Sequence, residues 1–264
     1  MAIFRDLIAA FRDTEAFCTA DPDMRRRTDE LVEGTEVFSR FDYALPSPLP
    51  NPGSGTIRVE GKSSFGTAAE LAGLGKTAVL NFANPVEPGG GVKRGAMAQE
   101  ESLCRSSNLY FSLVRPDVLE QYYRVHQNLE GYAFSDRLIY SPGVTVFKSD
   151  DTIPVRLEQP FRVDVITCAA PYCGFGLLPD LDGIFGRRIK AVLEAAIKRE
   201  VRNLVLGAWG CGAFCNPPQL VAGAFSRVLV AENYRTAFDR VVFAIKKGPS
   251  RNLAVFEQTF PAQE

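Results

Sequence analysis

Two adjacent carboxylates, Glu100 and Glu101, follow Gln99 in a stretch whose apolar residues Met97, Leu103, Leu109 and Leu113 recur at helical spacing. The acids therefore sit near a helix N-terminus. Seven residues separate Gln99 from a preceding run of three glycines, Gly89 to Gly91. Such a run lets backbone N–H groups approach a ligand with no Cβ in the way and permits positive φ, a loop suited to a diphosphate. Paired carboxyl groups are the equipment of glycosidases, which place them roughly 5 Å apart for retention or about 6.5–9.5 Å apart for inversion, on opposite sides of the bond. Neighbours on a helix point about 100° apart. Glu100 and Glu101 are thus expected not to flank a sugar from two faces, and one acid would have to give a proton to the leaving oxygen and then take one from water. A purely structural reading competes: acids are favoured in a first helical turn, and Glu101 with Arg105 is an i,i+4 pair worth about 0.2–0.5 kcal/mol on an exposed face.

A second glycine-bearing loop, GAWGCGAFCNPP from Gly207 to Pro218, follows an apolar strand. Asn216 and Pro217 are placed to supply the cap and first-turn proline of the next helix, and the loop amides are placed to hold a phosphate. Neither loop has the GxGxxG order or a P-loop lysine, and the second loop also reads as a tight strand-to-helix turn. Other chemistry is scarce. The only histidine is His126, so His-ligated metal sites and a Ser-His-Asp arrangement have a single candidate base, and no metal or cofactor is implied. His126 is expected to pack around Tyr122, Tyr123 and Val125. The six cysteines form no CxxC pair and read as buried thiols; Cys211 and Cys215 alone could gain from a helix start.

The elements that must position these loops follow from periodicity. Residues 3–17 and 22–32 read as helices, the second capped by Asp21 and opened by Pro22. The basic run Arg25 to Arg27 reads as a solvated helix face. Leu45 to Gly55, with four prolines and two glycines, reads as a boundary. Thereafter strands at 57–59, 77–82, 138–147 (strand or hairpin), 161–169, 203–206 and 241–245 alternate with helices at 67–74, 99–113, 116–125, 181–199 and 217–230. That order implies a mostly parallel sheet covered on both faces, with ligands at the carboxyl ends of its strands. The expected organisation is a helical extension, residues 1–50, on a main domain, residues 51–264, folded as one unit. A net charge of −1 and pI near 6.0 argue against a broad nucleic-acid surface, so no direct DNA binding is expected. No long apolar span or signal-type start is evident, and a cytoplasmic location is expected.

The stretch NFANPVEPGGG, then seven residues, then QEE, resembles the signature of poly(ADP-ribose) glycohydrolases of the compact bacterial and fungal type, and GAWGCGAFCN is similar to that family's second phosphate loop. The resemblance implies a macrodomain-like three-layer α/β/α sandwich with a mixed, mostly parallel sheet. It implies hydrolysis of the ribose–ribose O-glycosidic bonds of poly(ADP-ribose), carried on ADP-ribosylated proteins, with release of ADP-ribose. By the same resemblance Glu101 is the catalytic acid, Glu100 orients the terminal ribose, and Gln99 supports the loop. Asn84 contacts a ribose, Gly89, Gly90 and Gly91 hold diphosphate and ribose, and Gly210, Cys211, Gly212, Ala213 and Phe214 form the second loop, with Phe214 against the distal ribose. Glu87 and Cys215 depart from the family pattern, the latter standing where glycine is frequent. An ADP-ribose reader and a hydrolase of mono-ADP-ribosyl linkages are the alternatives the same pocket would allow.

Overall fold

A computed structural model of the chain describes residues 2–262. The chain opens with α1 (Ala2–Ala20) and α2 (Pro22–Gly34), the latter capped by the Asp21 carboxylate, which accepts the Met24 amide at 2.9 Å. A short strand β1 (Glu36–Phe38) precedes the proline-rich segment, which ends in β2 (Thr56–Glu60). Then come α3 (Ser64–Leu71), β3 (Thr77–Phe82), α4 (Gln99–Ser106) and α5 (Leu109–Leu113). Next are α6 (Pro116–Val118) and α7 (Arg124–Gln127), joined by a π turn. The chain continues through β4 (Leu138–Lys148), β5 (Arg156–Cys168), α8 (Leu181–Lys198), β6 (Asn203–Leu206), α9 (Pro218–Ser226), β7 (Arg240–Ala244) and α10 (Asn252–Thr259).

One seven-stranded sheet runs β1-β4-β5-β3-β6-β7-β2. The pairs β1–β4 and β4–β5 are antiparallel; the other four are parallel. The sheet is therefore mixed and mostly parallel, as expected. Strand alternation divides the core into two layers. Val79, Val165, Val205 and Val242 face Phe65, Leu103 and Leu109, while Ala78, Leu80, Ile166 and Leu204 face Phe185, Val192, Phe225 and Phe256. Buried on both faces, β3 reads as the continuous apolar run TAVLNF.

The first fifty residues enter this sandwich directly. Phe11 and Leu31 are fully buried in the layer of α3 and α4. Lys148, buried on β4, donates to Ala10 O at 2.8 Å and Thr14 Oγ1 at 2.7 Å and pairs with Asp13 at 2.8 Å, fastening α1 across the sheet's face. The proline-rich stretch joins β1 on one edge to β2 on the other. On its way the Asp42 and Tyr43 amides donate to the Glu194 carboxylate of α8, at 2.9 and 3.1 Å. Gly53 and Gly55 then donate to Thr236 O and Phe238 O, and a Cβ at Gly53 would stand 2.0 Å from Phe238 O, so the strap lands only where a glycine is. Arg26 and Arg27 pair with Asp23 and Glu30 on the exposed face of α2, the solvated reading of that basic run.

Several boundaries differ from expectation. The helix expected to run from 99 to 113 breaks at Ser107, whose backbone leaves helical space and bridges to Val146. The 138–147 segment is one strand, irregular at Pro142–Gly143, rather than a hairpin. Asn216 does not cap α9: Pro217 is the cap residue and Pro218 the first helical one. The buried Asn216 amide instead ties the second loop to Pro171, in the segment that follows β5.

Candidate active site

β3 ends where α4 begins, and Gln99 fastens the two. Its Oε1 accepts the Phe82 amide at 2.9 Å while its Nε2 donates to Leu80 O at 2.8 Å and Ser64 Oγ at 3.1 Å. The next two residues turn their carboxyls back onto the loop between the elements. Glu100 is only 2% exposed; it accepts the Asn84 amide at 2.7 Å and Asn81 Nδ2 at 3.2 Å. Burial in this site pushes its carboxyl up to about 8, against the lowering effect of the Asn84 and Asn81 donors, with the neighbouring Glu101 charge adding to the rise. Glu101, 7% exposed, accepts the Gly91 amide on Oε1 at 2.8 Å. Its other oxygen, Oε2, is buried without a hydrogen-bond partner among the described residues. The two carboxyls approach one point from the same side: a Cβ on Gly90 would lie 2.4 Å from Glu101 Oε1 and 3.3 Å from Glu100 Oε2. They do not straddle a substrate bond, as the helical spacing required.

The glycine loop takes its form from this closeness. Gly89 and Gly90 have φ of 68° and 56°, while Gly91 has ordinary negative φ. Gly89 packs on the Tyr110 ring, where a Cβ would be 2.9 Å from the nearest ring carbon. The Gly90 and Gly91 amides are committed, to Glu87 O at 3.0 Å and to Glu101. The loop is thus a cradle for the acids more than an open nest of donors. Asn84 Oδ1 accepts the amides of Val86 and Glu87, both at 2.9 Å, shaping the turn. Glu87 forms a two-pronged ion pair with Arg94 on the loop's rim, at 2.5 and 2.7 Å. Arg105 is no exposed partner for Glu101. It is buried, and its Nη1 donates to Ala96 O at 2.6 Å, which removes the surface-pair reading of the acids.

The second loop has the complementary property. Asn216 Nδ2 donates to Pro171 O at 2.8 Å and Gly210 O at 3.0 Å, closing the turn. A Cβ at Gly210, where φ is 75°, would lie 2.5 Å from that amide. The amides of Gly212, Ala213 and Phe214 donate to no acceptor among the described residues, and Gly212 faces open space. Three successive N–H groups are thereby left for an anionic ligand. Cys215 occupies the left-handed region at φ 58°, a backbone conformation that favours glycine. Burial pushes the Cys211 thiol up to about 12, the opposite of a helix-activated thiolate.

A cavity of about 430 Å³ lies between the loops, within the range of small-molecule sites. Its wall includes Ser63, Gln99, Asp150, Trp209, Gly212 and Phe214. Of the residues singled out from sequence, Gln99, Gly210, Gly212, Ala213 and Phe214 border the cavity. Asn84, Gly89, Gly90, Gly91, Glu100, Glu101 and Cys211 do not. The acids stand behind Gln99, one helical step from the wall. Asn81 was not singled out, although an asparagine inside an apolar central strand is itself a signal, because a buried amide needs partners. His126 is buried, edge-on to Tyr122 at 4.5 Å, with Nε2 bonded to Ser135 Oγ at 2.7 Å; it packs as expected.

The family model for the catalytic domain of microbial-type PARG matches residues 12–149, just over half of the chain. The fold superposes on poly(ADP-ribose) glycohydrolase from Thermomonospora curvata with a TM-score of 0.85 and 32% identity, over 97% of this chain and 100% of that one. The Deinococcus radiodurans enzyme in complex with ADP-ribose aligns at 34% identity and TM-score 0.80, over 88% of this chain and 96% of that one. The T. curvata enzyme bound to the inhibitor ADP-HPD aligns at 31% identity and TM-score 0.79, over 97% and 100% of the two chains. A comparison with curated proteins gives no match. With a family model over most of its N-terminal half and relatives above 30% identity along nearly its whole length, the chain belongs to the microbial-type poly(ADP-ribose) glycohydrolase family.

Proposed function

We propose that this chain hydrolyses the ribose–ribose O-glycosidic bonds of poly(ADP-ribose), releasing ADP-ribose, with Glu101 as the single general acid and base. The observation that carries the reading is the state of its carboxyl. Gly91 fixes one oxygen, and the other is buried with no partner among the described residues, the arrangement of a group whose partner is the substrate. The cavity receives the nucleotide, and the free amides of Gly212, Ala213 and Phe214 hold the diphosphate. Phe214 closes over the distal ribose. Glu100 and the Asn84 side chain bind the hydroxyls of the reacting ribose, and the glycine loop sets the acids in place. Glu100, its carboxyl pushed up to about 8, is mostly protonated at pH 7 and so can donate to a ribose oxygen as well as accept.

Departure of the leaving ribose oxygen requires a proton, which Glu101 supplies as the oxocarbenium-like centre forms. Water then attacks, and the same carboxylate takes its proton. The test is release of ADP-ribose from polymer by wild type and by Glu101→Gln, with ADP-ribose affinity of both measured by calorimetry. Turnover should fall about 10²–10⁴-fold in the variant, the size of a general acid–base contribution, with affinity kept. A wild type that binds ADP-ribose and releases none would make the chain a reader or place its activity on another ADP-ribosyl linkage.

A further inference from the structure

Beyond Phe214 the wall of the cavity continues outward as aromatic surface. Tyr172 meets Phe214 edge-on, with ring centroids 5.6 Å apart. Tyr132 and Phe175 lie 5.6 Å from Tyr172 and 5.1 Å from each other, so the three rings form a contiguous ledge. Its outer members are open to solvent: Phe175 is 78% exposed and Tyr132 45%. The ledge is built rather than loose. The Tyr172 amide donates to Tyr132 O at 2.9 Å and the Cys173 amide to Phe214 O at 2.8 Å, locking three separate chain segments together beside the second loop. The Gln127 side chain, at the start of the segment carrying Tyr132, donates to Val86 O at 2.9 Å, so the ledge is moored to the first loop as well.

We propose that this ledge is a stacking subsite for the adenine of the neighbouring ADP-ribose unit, the one that departs when the bond is cut. The inference rests on the glycohydrolase reading for the identity of the polymer. Phe214 belongs both to the cavity and to the ledge, so a chain whose terminal unit fills the cavity emerges onto Tyr172, Phe175 and Tyr132. Nucleobases stack on exposed aromatic faces without any sequence code, and adenine offers a broad π face. The three rings present such faces and carry no charge of their own, which suits a base more than a phosphate.

The measurement uses a two-unit fragment of poly(ADP-ribose) and free ADP-ribose, with the affinity of each read by calorimetry in a Glu101→Gln background that keeps the fragment intact. Phe175→Ala and Tyr132→Ala are each expected to weaken the two-unit fragment by about tenfold, as loss of a base stack does. ADP-ribose affinity should stay unchanged, and Phe175→Trp should hold or tighten the fragment. Equal affinity of the fragment for parent and alanine variants overturns the proposal. So does a parallel loss for both ligands, which would make the rings part of the monomer site. Release of ADP-ribose by the otherwise wild-type chain is scored separately. If none occurs while the fragment-selective loss persists, the ledge stands and the glycohydrolase reading falls.

Discussion

Gly90 decides how closely the loop can wrap the two acids. At φ 56° its backbone is in the left-handed region, and a Cβ there would press on Glu101 Oε1 at 2.4 Å. Gly90→Ala therefore combines backbone strain with displacement of the proposed acid. The strain is worth about 1–3 kcal/mol, visible as a lower urea midpoint, and turnover should fall by more than about 10²-fold because the carboxyl no longer sits on the Gly91 amide. A Gly90→Ala chain with full turnover would separate the loop from the chemistry. Cys215 is the converse case, an L residue already held at φ 58°. Cys215→Val, β-branched, should destabilise by about 1–2 kcal/mol in thermal melts, while Cys215→Gly should be tolerated without loss. Comparable melts for valine and wild type would argue against strain at this turn.

At the scale of elements, α1 acts through a relay of rings. Phe11 lies edge-on to Tyr110 at 5.1 Å, and Tyr110 in turn supports Gly89 and carries Lys93 over its face at 5.0 Å. Phe11→Ala empties a fully buried site and should cost about 3–5 kcal/mol. Because the void opens behind Tyr110, ADP-ribose release measured well below the unfolding transition should fall too. A variant that loses stability but keeps full turnover would show that the helix braces the fold and not the loop. The periodicity of the sequence makes the run of β3 and the apolar stripe of α8 legible, since each is long and buried on predictable faces. It leaves β1 and α10 unread: three residues are too few for alternation to speak, and α10 has little amphipathic contrast. The roles of Asn216 and Gln99 are set by partners far apart in sequence, Pro171 and Leu80, which local spacing cannot supply. The acids and glycines were readable because their spacing is local, as was the loop that carries Trp209; the joining of Ser63 and Asp150 to the cavity's wall was not, because they come from distant loops.

For the whole molecule, two buried titratable groups shape stability in opposite senses. Burial lowers His126 from 6.5 to about 4, with the nearby Arg188 and Arg137 charges adding to the effect. Between those values the unfolded chain binds the extra proton, so this contribution to stability is lost as pH falls through that window. Glu100 is raised from 4.5 to about 8 by burial. Between those values the native state holds the extra proton, so stability falls as pH rises. From about pH 4.5 to 6.5 the two slopes cancel and stability should be nearly level. Above 6.5 only Glu100 remains, and stability should decline by about 1.4 kcal/mol per pH unit, flattening near pH 8. Urea unfolding at half-unit steps from pH 5 to 8.5 would show the plateau and the fall. Glu100→Gln keeps an acceptor for the Asn84 amide and has no proton to lose, so its curve should stay level above 6.5. The same decline in that variant would mean that another group carries it, and that Glu100 is ionised in the folded protein at neutral pH.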